Sequence, residues 1–277
     1  MASRTRTGRG RAGRAWRSAR TSDRHDLYEQ SVQDPTSECS YIERIYRGLR
    51  GRAPVSLRED FCGTALVSRT WVRKRGRVAH GVDLDPEVLA WAKARAAAEL
   101  GDEARARMSL VRGDVRTART PAVDVLVAMN FSTFVFHTRA ALLEYYRSAR
   151  KWLNRDGVIV VDAYGGSGSW TEQEEERDLD GFTYVWDQAM VNPVTGRVRN
   201  HIHYRFPDGT SLRRAFTYEW RLWTLPEIQE VMVEAGFRRP VVYWEGTTAE
   251  GEGNGVFRPS ARGEACEGWV AYIAAEA

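Results

Sequence analysis

The run from Val123 to Met129 holds one polar residue, Asp124, in seven positions. A strand that is apolar at successive positions has no solvent face, so it belongs inside a sheet covered on both sides. The flanking sequence supplies the covering helices. Asp34-Pro35 precedes a helical pattern over 37–50, with Tyr41, Ile42, Ile45, Tyr46 and Leu49 on its apolar face. Val55-Ser56-Leu57 opens a strand to about Glu59, and a helix follows to about Arg75. A second strand, Val78 to Val82, ends at Asp83; Asp85 suits the cap of the next helix and Pro86 its first turn. A third strand covers 108–112 and stops before Gly113-Asp114. Beyond the apolar run, Thr138 caps a helix carrying Leu142, Leu143, Tyr146 and Leu153. The turn Asn154-Arg155-Asp156-Gly157 then leads into Val158–Val161. This βαβ rhythm specifies an α/β fold, a seven-stranded and mostly parallel sheet wound by helices.

The rhythm breaks after Gly165-Gly166. Residues 182–188, 198–206 and 211–220 alternate in polarity, with turn chemistry at Asn192-Pro193, Thr195-Gly196 and Pro207-Asp208-Gly209. They predict an antiparallel β subdomain inserted at 166–222. Helical order returns with a Thr224/Glu227 capping box and ends at Gly236. Final strands near 239–244 and 268–274 flank a Gly- and Glu-rich loop, 245–256, that suits an active-site cover.

Charge separates the tail from the body. Residues 1–20 hold seven arginines and no acid; without them 34 basic residues face 37 acidic ones, a net of −3. Residues 1–22 are therefore expected to be a disordered Arg-rich tail, and 23–277 the folded domain. No apolar run approaches the length of a membrane span. Three cysteines, Cys39, Cys62 and Cys266, lack metal-type spacing and suggest a reduced, cytoplasmic protein.

The segment Arg58–Ala65, REDFCGTA, turns from strand to helix on small residues, which lets backbone approach a ligand with helix N–H groups aimed at it. Asp83 follows Gly63 by 20 residues, the placement of an acid that grips a ribose diol. Asp114 could accept from an adenine amine, and Glu59 could attract an ammonium. Together these read as an S-adenosylmethionine (SAM) site. EDFCGTA, GVDLDPEVLAWA, VRGDV and VDVLVAMNFSTFVF resemble the four successive motifs of the class I, Rossmann-like SAM-dependent methyltransferases. The resemblance covers roughly 53–165, with a weaker match in WTLPEIQEVMVEAGF. It implies a SAM cofactor, with contacts from Glu59, Phe61, Cys62, Gly63, Thr64, Asp83, Leu84, Asp114, Val115, Asn130 and Phe131. Phe61 and Ala65 stand where that family usually has glycine, and Cys62 is read as packing rather than as a nucleophile. An NAD-linked reductase would want a three-glycine turn, and two of those glycines are missing.

Methyl transfer is an in-line displacement, so the protein supplies position and desolvation, plus a base where the acceptor must lose a proton. Asn130, Phe131, Ser132, His137, Asp162 and Tyr164 lie at the ends of the fourth and fifth strands. Of these, Tyr164, His137 and Asp162 are the candidate catalytic groups. Tyr164, His203, Arg221 and Trp223 are the candidate acceptor contacts. In 198–206, Arg199, His201, His203 and Arg205 share a face that is either plain surface or a lid over an anionic acceptor. The His201/His203 pair lacks a third ligand, so no metal is expected. Asn130-Phe131-Ser132-Thr133 departs from the Asn/Asp-Pro-Pro-aromatic tetrad of enzymes that methylate base amines of DNA. The expected function is methylation of a small-molecule acceptor. An RNA methyltransferase using the basic tail, or a non-catalytic SAM-binding interaction protein, are the alternatives.

Overall fold

A computed structural model describes residues 17–248 and 253–277. In chain order the elements are α1 (Arg24–Val32), α2 (Pro35–Arg50), β1 (Ser56–Asp60), α3 (Leu66–Val72), β2 (Val78–Asp83), α4 (Pro86–Glu99), α5 (Asp102–Ala106) and β3 (Met108–Arg112). They continue with β4 (Val123–Ala128), α6 (Arg139–Lys151), β5 (Leu153–Gly165), β6 (Gln173–Leu179), β7 (Phe182–Asn192), β8 (Arg197–Arg205) and β9 (Ser211–Arg221). The chain closes with α7 (Leu225–Glu234), β10 (Arg238–Thr247), β11 (Gly253–Pro259) and β12 (Trp269–Glu276).

The main sheet runs β3-β2-β1-β4-β5-β12-β10-β11. The first five of these are parallel neighbours, and β12 is antiparallel between β5 and β10. Strand order reverses between β1 and β4, which opens a crevice at their carboxyl ends, where ligands of such sheets bind. Seven strands match the sequence reading; the eighth, β11, falls partly in the stretch read as a loop. Glycines hide it, and Glu245 on β10 stabilises it by accepting from the Gly255 N–H at 2.7 Å. Among the described residues no helix is long and apolar enough to cross a membrane.

The inserted sheet runs β6-β7-β8-β9. Its edge strand β6, QEEERDL, has no apolar alternation to announce it. It is held by backbone pairing with β7, and Glu174 and Glu176 both pair with Arg205. The face read as basic is satisfied within the sheet: Arg199 pairs with Glu219, His201 bonds Thr217 and His203 bonds Asp187. The inner face, with Trp186, Ile202, Tyr204 and Trp220, joins the core cluster that contains Leu27 of α1 and Phe134. Residues 1–16, most of the Arg-rich segment, lie outside the described residues. The segment just after them follows the insert, with Arg17 over the Phe182 ring at 5.5 Å and Ala19 N–H donating to Thr210 Oγ1 at 2.9 Å.

A fully buried arginine fixes the crevice floor. Arg58 donates to Asp60 Oδ1 at 2.7 Å, to the Val115 carbonyl at 2.8 Å and to the Ala118 carbonyl at 3.0 Å. Asp60 also accepts from Tyr145 of α6 at 3.2 Å. One guanidinium thus ties β1 to the β3–β4 connection and, through Asp60, to a helix. Removing one partner of a buried pair strands the other charge, which costs about 3–5 kcal/mol. Arg58→Met should lower the unfolding free energy by that amount, whereas Arg205→Met, on the exposed sheet, should change it by less than about 1 kcal/mol. Chemical denaturation of both variants checks this.

Candidate active site

Three contiguous cavities line the carboxyl ends of the strands. The first, of about 530 Å³, is walled by the β1–α3 turn, the end of β2, α1 and β9. The turn achieves its shape without the expected glycines: Phe61, Gly63 and Ala65 all adopt left-handed φ, at 57°, 51° and 55°. Such φ is strained for phenylalanine. Packing sustains it, because the Phe61 ring contacts Phe136 and Tyr145 at centroid distances of 5.9 and 5.8 Å. A Cβ built on Gly63 meets nothing within 4 Å, so this backbone faces open cavity. Asp83 holds the turn, accepting from the Gly63 N–H at 2.8 Å through Oδ2 and from the Asp85 N–H at 2.9 Å through Oδ1. Glu59 accepts both Ser68 N–H and Ser68 Oγ–H through Oε2; burial pushes its carboxyl up to about 7.

This cavity fits SAM by chemistry. Asp83 and Asp85 can meet ribose hydroxyls, and Glu59, buried without an ion-pair partner, suits an ammonium. Thr64, Cys62 and Asn130 complete the wall on the sequence-predicted side. Burial holds the Cys62 thiol well above its ordinary range, in keeping with packing. Four expected contacts lie outside the lining, Phe131 among them. Leu84 projects into solvent at 63% exposure, Val115 is buried under the Arg58 bond, and Asp114 is clasped by Arg116 at 2.6 Å, which holds its carboxyl low.

The second cavity, of about 340 Å³, shares Tyr28, Met129, Asn130 and Tyr218 with the first. Asp162 forms part of its floor, accepting from the Asn130 and Phe131 N–H groups at 2.8 Å each. Those residues are consecutive left-handed positions, at φ 58° and 60°, and their N–H pair makes an anion-holding nest. Burial raises Asp162 to about 7, against the pull of these bonds. Asp162 is therefore a scaffold for the turn. Opposite lies Glu38 of α2, 8% exposed, with burial and the neighbouring Asp162 and Glu59 charges raising it to about 8. Among the described residues its Oε2 is buried without a hydrogen-bond partner, as are Trp220 Nε1 and Arg177 Nε in the same wall.

The expected acceptor contacts fall elsewhere. Tyr164 lines the third cavity, where it stacks on Phe134 and accepts from Asn200 at 3.4 Å; burial raises its phenol. Phe131 lines the second and third cavities. His137 bonds the Glu219 carbonyl through Nε2 at 2.8 Å, and His203 sits between Asp187 and the Arg214 N–H. Arg221 lies over the Trp223 ring at 3.7 Å and pairs with Glu227, while Trp223 Nε1 donates to the Phe136 carbonyl. Glu38, Tyr28 and the aromatic face of the insert escaped the sequence reading. Glu38 left a trace: an acid in register with Ile42, Ile45 and Tyr46 on an otherwise apolar helix face.

Residues 60–161 match the methyltransferase domain family. No curated protein matches the sequence significantly. Among solved structures, the CcbJ methyltransferase of Streptomyces caelestis is 17% identical, covering 90% of this chain and 98% of its own, with a TM-score of 0.67. SAM-bound CalS10, an amino pentose methyltransferase of Micromonospora echinaspora, is 17% identical over 91% and 95%, at 0.64. The sugar N-methyltransferase KedS8 of Streptoalloteichus sp. is 17% identical over 99% of each chain, at 0.62. The family match places a methyltransferase domain at residues 60–161, and the chain as a whole shares the fold of these methyltransferases.

Two outcomes follow from this geometry. Asp83→Ala removes both the turn anchor and a ribose acceptor, so calorimetry should show SAM affinity falling by about 10- to 100-fold; normal affinity would overturn the assignment. Glu38, Glu59 and Asp162 hold protons in the folded state that the unfolded chain, titrating near pH 4, has lost. Below that range they do not oppose folding; their cost grows as pH rises from about 4 and levels off above about 7 to about 8. The melting temperature of the ligand-free protein should therefore fall across this interval, and Glu38→Gln should flatten the slope.

Proposed function

We propose that the second cavity holds a small hydroxylated amine and that its nitrogen receives the methyl group. The observation that carries this is Glu38 Oε2, a buried acidic oxygen without a partner, facing a chamber beside the donor cavity. Unmade hydrogen bonds of this kind are costly unless a ligand completes them. An ammonium supplies the donors that Glu38 lacks, and Tyr28, Trp186, Tyr218 and Trp220 offer aromatic faces that favour a cation. Ligand hydroxyls would meet the unpartnered Trp220 Nε1 and Arg177 Nε. The amino pentose and sugar N-methyltransferases that share the fold point the same way. An anionic acceptor finds less support, since the basic face of β8 is paired within its own sheet.

SAM, when bound, supplies a methyl carbon on a positively charged sulfur. An amine attacks only through its free lone pair, and most amines are protonated at neutral pH. Glu38 is protonated in the ligand-free protein; cations bound beside it would draw it to its carboxylate, which would then take the ammonium proton, leave the amine its lone pair for the methyl group, and return the proton to solvent. Tyr28 of α1 and Tyr218 of β9 line both cavities and would exclude water from their junction. A cytoplasmic setting belongs to this proposal, consistent with three free thiols at Cys39, Cys62 and Cys266.

Labelled methyl from SAM should pass to glucosamine and not to N-acetylglucosamine. Glu38→Gln should lower kcat/KM at neutral pH by about 100-fold or more and move the optimum towards the amine's own pKa. An unchanged pH profile would remove Glu38 from this role.

A further inference from the structure

The third cavity, of about 620 Å³, belongs to neither the donor nor the reacting amine. It opens from the acceptor chamber through a shared wall of Phe131, Trp186, Glu245, Gly253 and Val270. Three tryptophans, Trp186, Trp244 and Trp269, and four glutamates, Glu175, Glu245, Glu264 and Glu267, line it. Among its lining residues there is no Lys, Arg or His, in a chain that carries 41 Lys and Arg. A cleft lined by one sign of charge concentrates ligands of the other sign, and it repels phosphates and carboxylates.

The wall is built rather than left over. Trp244 and Trp269 pack against each other at a centroid distance of 5.3 Å. A Cβ at Gly165 would overlap the Trp269 ring, and one at Gly263 would crowd Trp244. The Gly-rich turn after β5 is stitched to the opposite loop by the Gly168 N–H donating to the Glu267 carbonyl at 2.8 Å. Gly165 thus lets the Trp269 indole approach backbone closely, Gly166 and Gly168 let the Glu267 backbone do the same, and Gly263 admits Trp244.

We infer that this outer cavity is a second ligand subsite, which takes a further cationic, hydroxylated ring joined to the ring that is methylated. The inference rests on the amine reading of the inner chamber. Indole faces stack on the C–H faces of a saturated ring and attract a cation, while the carboxylates accept from ammonium and hydroxyl groups. The acceptor is accordingly larger than one ring, and a phosphate-bearing acceptor is disfavoured here.

The test uses the full chain with SAM bound and two probes, glucosamine and the chitosan disaccharide of two linked glucosamine rings. Calorimetry should show the disaccharide binding at least about 10-fold more tightly than the single ring. Trp269→Ala should abolish that advantage, and so should the double change Glu264→Gln with Glu267→Gln, which alters only exposed carboxylates and spares the fold. Both variants should leave glucosamine affinity and its methylation unchanged. A disaccharide that binds no better than glucosamine, or whose advantage survives both variants, would overturn the outer subsite. Failure of the inner reading shows separately, as glucosamine binding that ignores Glu38→Gln.

Discussion

The carboxylate of Asp162 is the point on which the ligand-binding end of the molecule depends. A buried acid is expensive to ionise, and two backbone N–H groups offset that cost. In return the acid sets a turn that β4 could not make alone. Asn130 lines the first and second cavities, and Phe131 the second and third, so one side chain of β5 shapes walls of all three. The strand next to β4 thereby decides where its neighbour stops.

Strain is concentrated at the same end. Of the six left-handed non-glycine residues among those described, Phe61, Asn130, Phe131 and Arg214 line the cavities and Ala65 closes the Phe61 turn, while Arg239 lies apart. Three of them are sustained by a specific contact or bond, the aromatic cluster for Phe61 and the Asp162 carboxylate for the pair after β4. Such conformations persist where surroundings over-determine them, and they are common at ligand sites. Arg58, buried beneath, keeps the floor from relaxing.

Much of this was legible in the sequence because the signals are local. Apolar runs marked β4 and β5, caps at Asp34, Asp85 and Thr224 marked helix starts, and spacing marked Asp83. What escaped depends on distance along the chain. Strand β6 has no apolar period because it is an exposed edge held by cross-strand charge pairs. The acceptor chamber draws on α1, α2, the insert and β10–β11, which no window of sequence places together. Asp114 illustrates the limit from the other side: its position was right for the motif, but Arg116, two residues on, occupies its carboxylate.

The hairpin of β10 and β11 has one further consequence. It supplies walls to the acceptor and outer chambers, through Glu245, Gly253 and their neighbours, and none to the donor chamber. The first and second cavities share Tyr28, Met129, Asn130 and Tyr218, but the hairpin walls belong to the second and third alone. On the proposed reading of these cavities, insertions, deletions or drift in this hairpin would retarget the enzyme to new acceptors while the first cavity stays intact, which makes the hairpin the natural site for divergence among descendants of this scaffold.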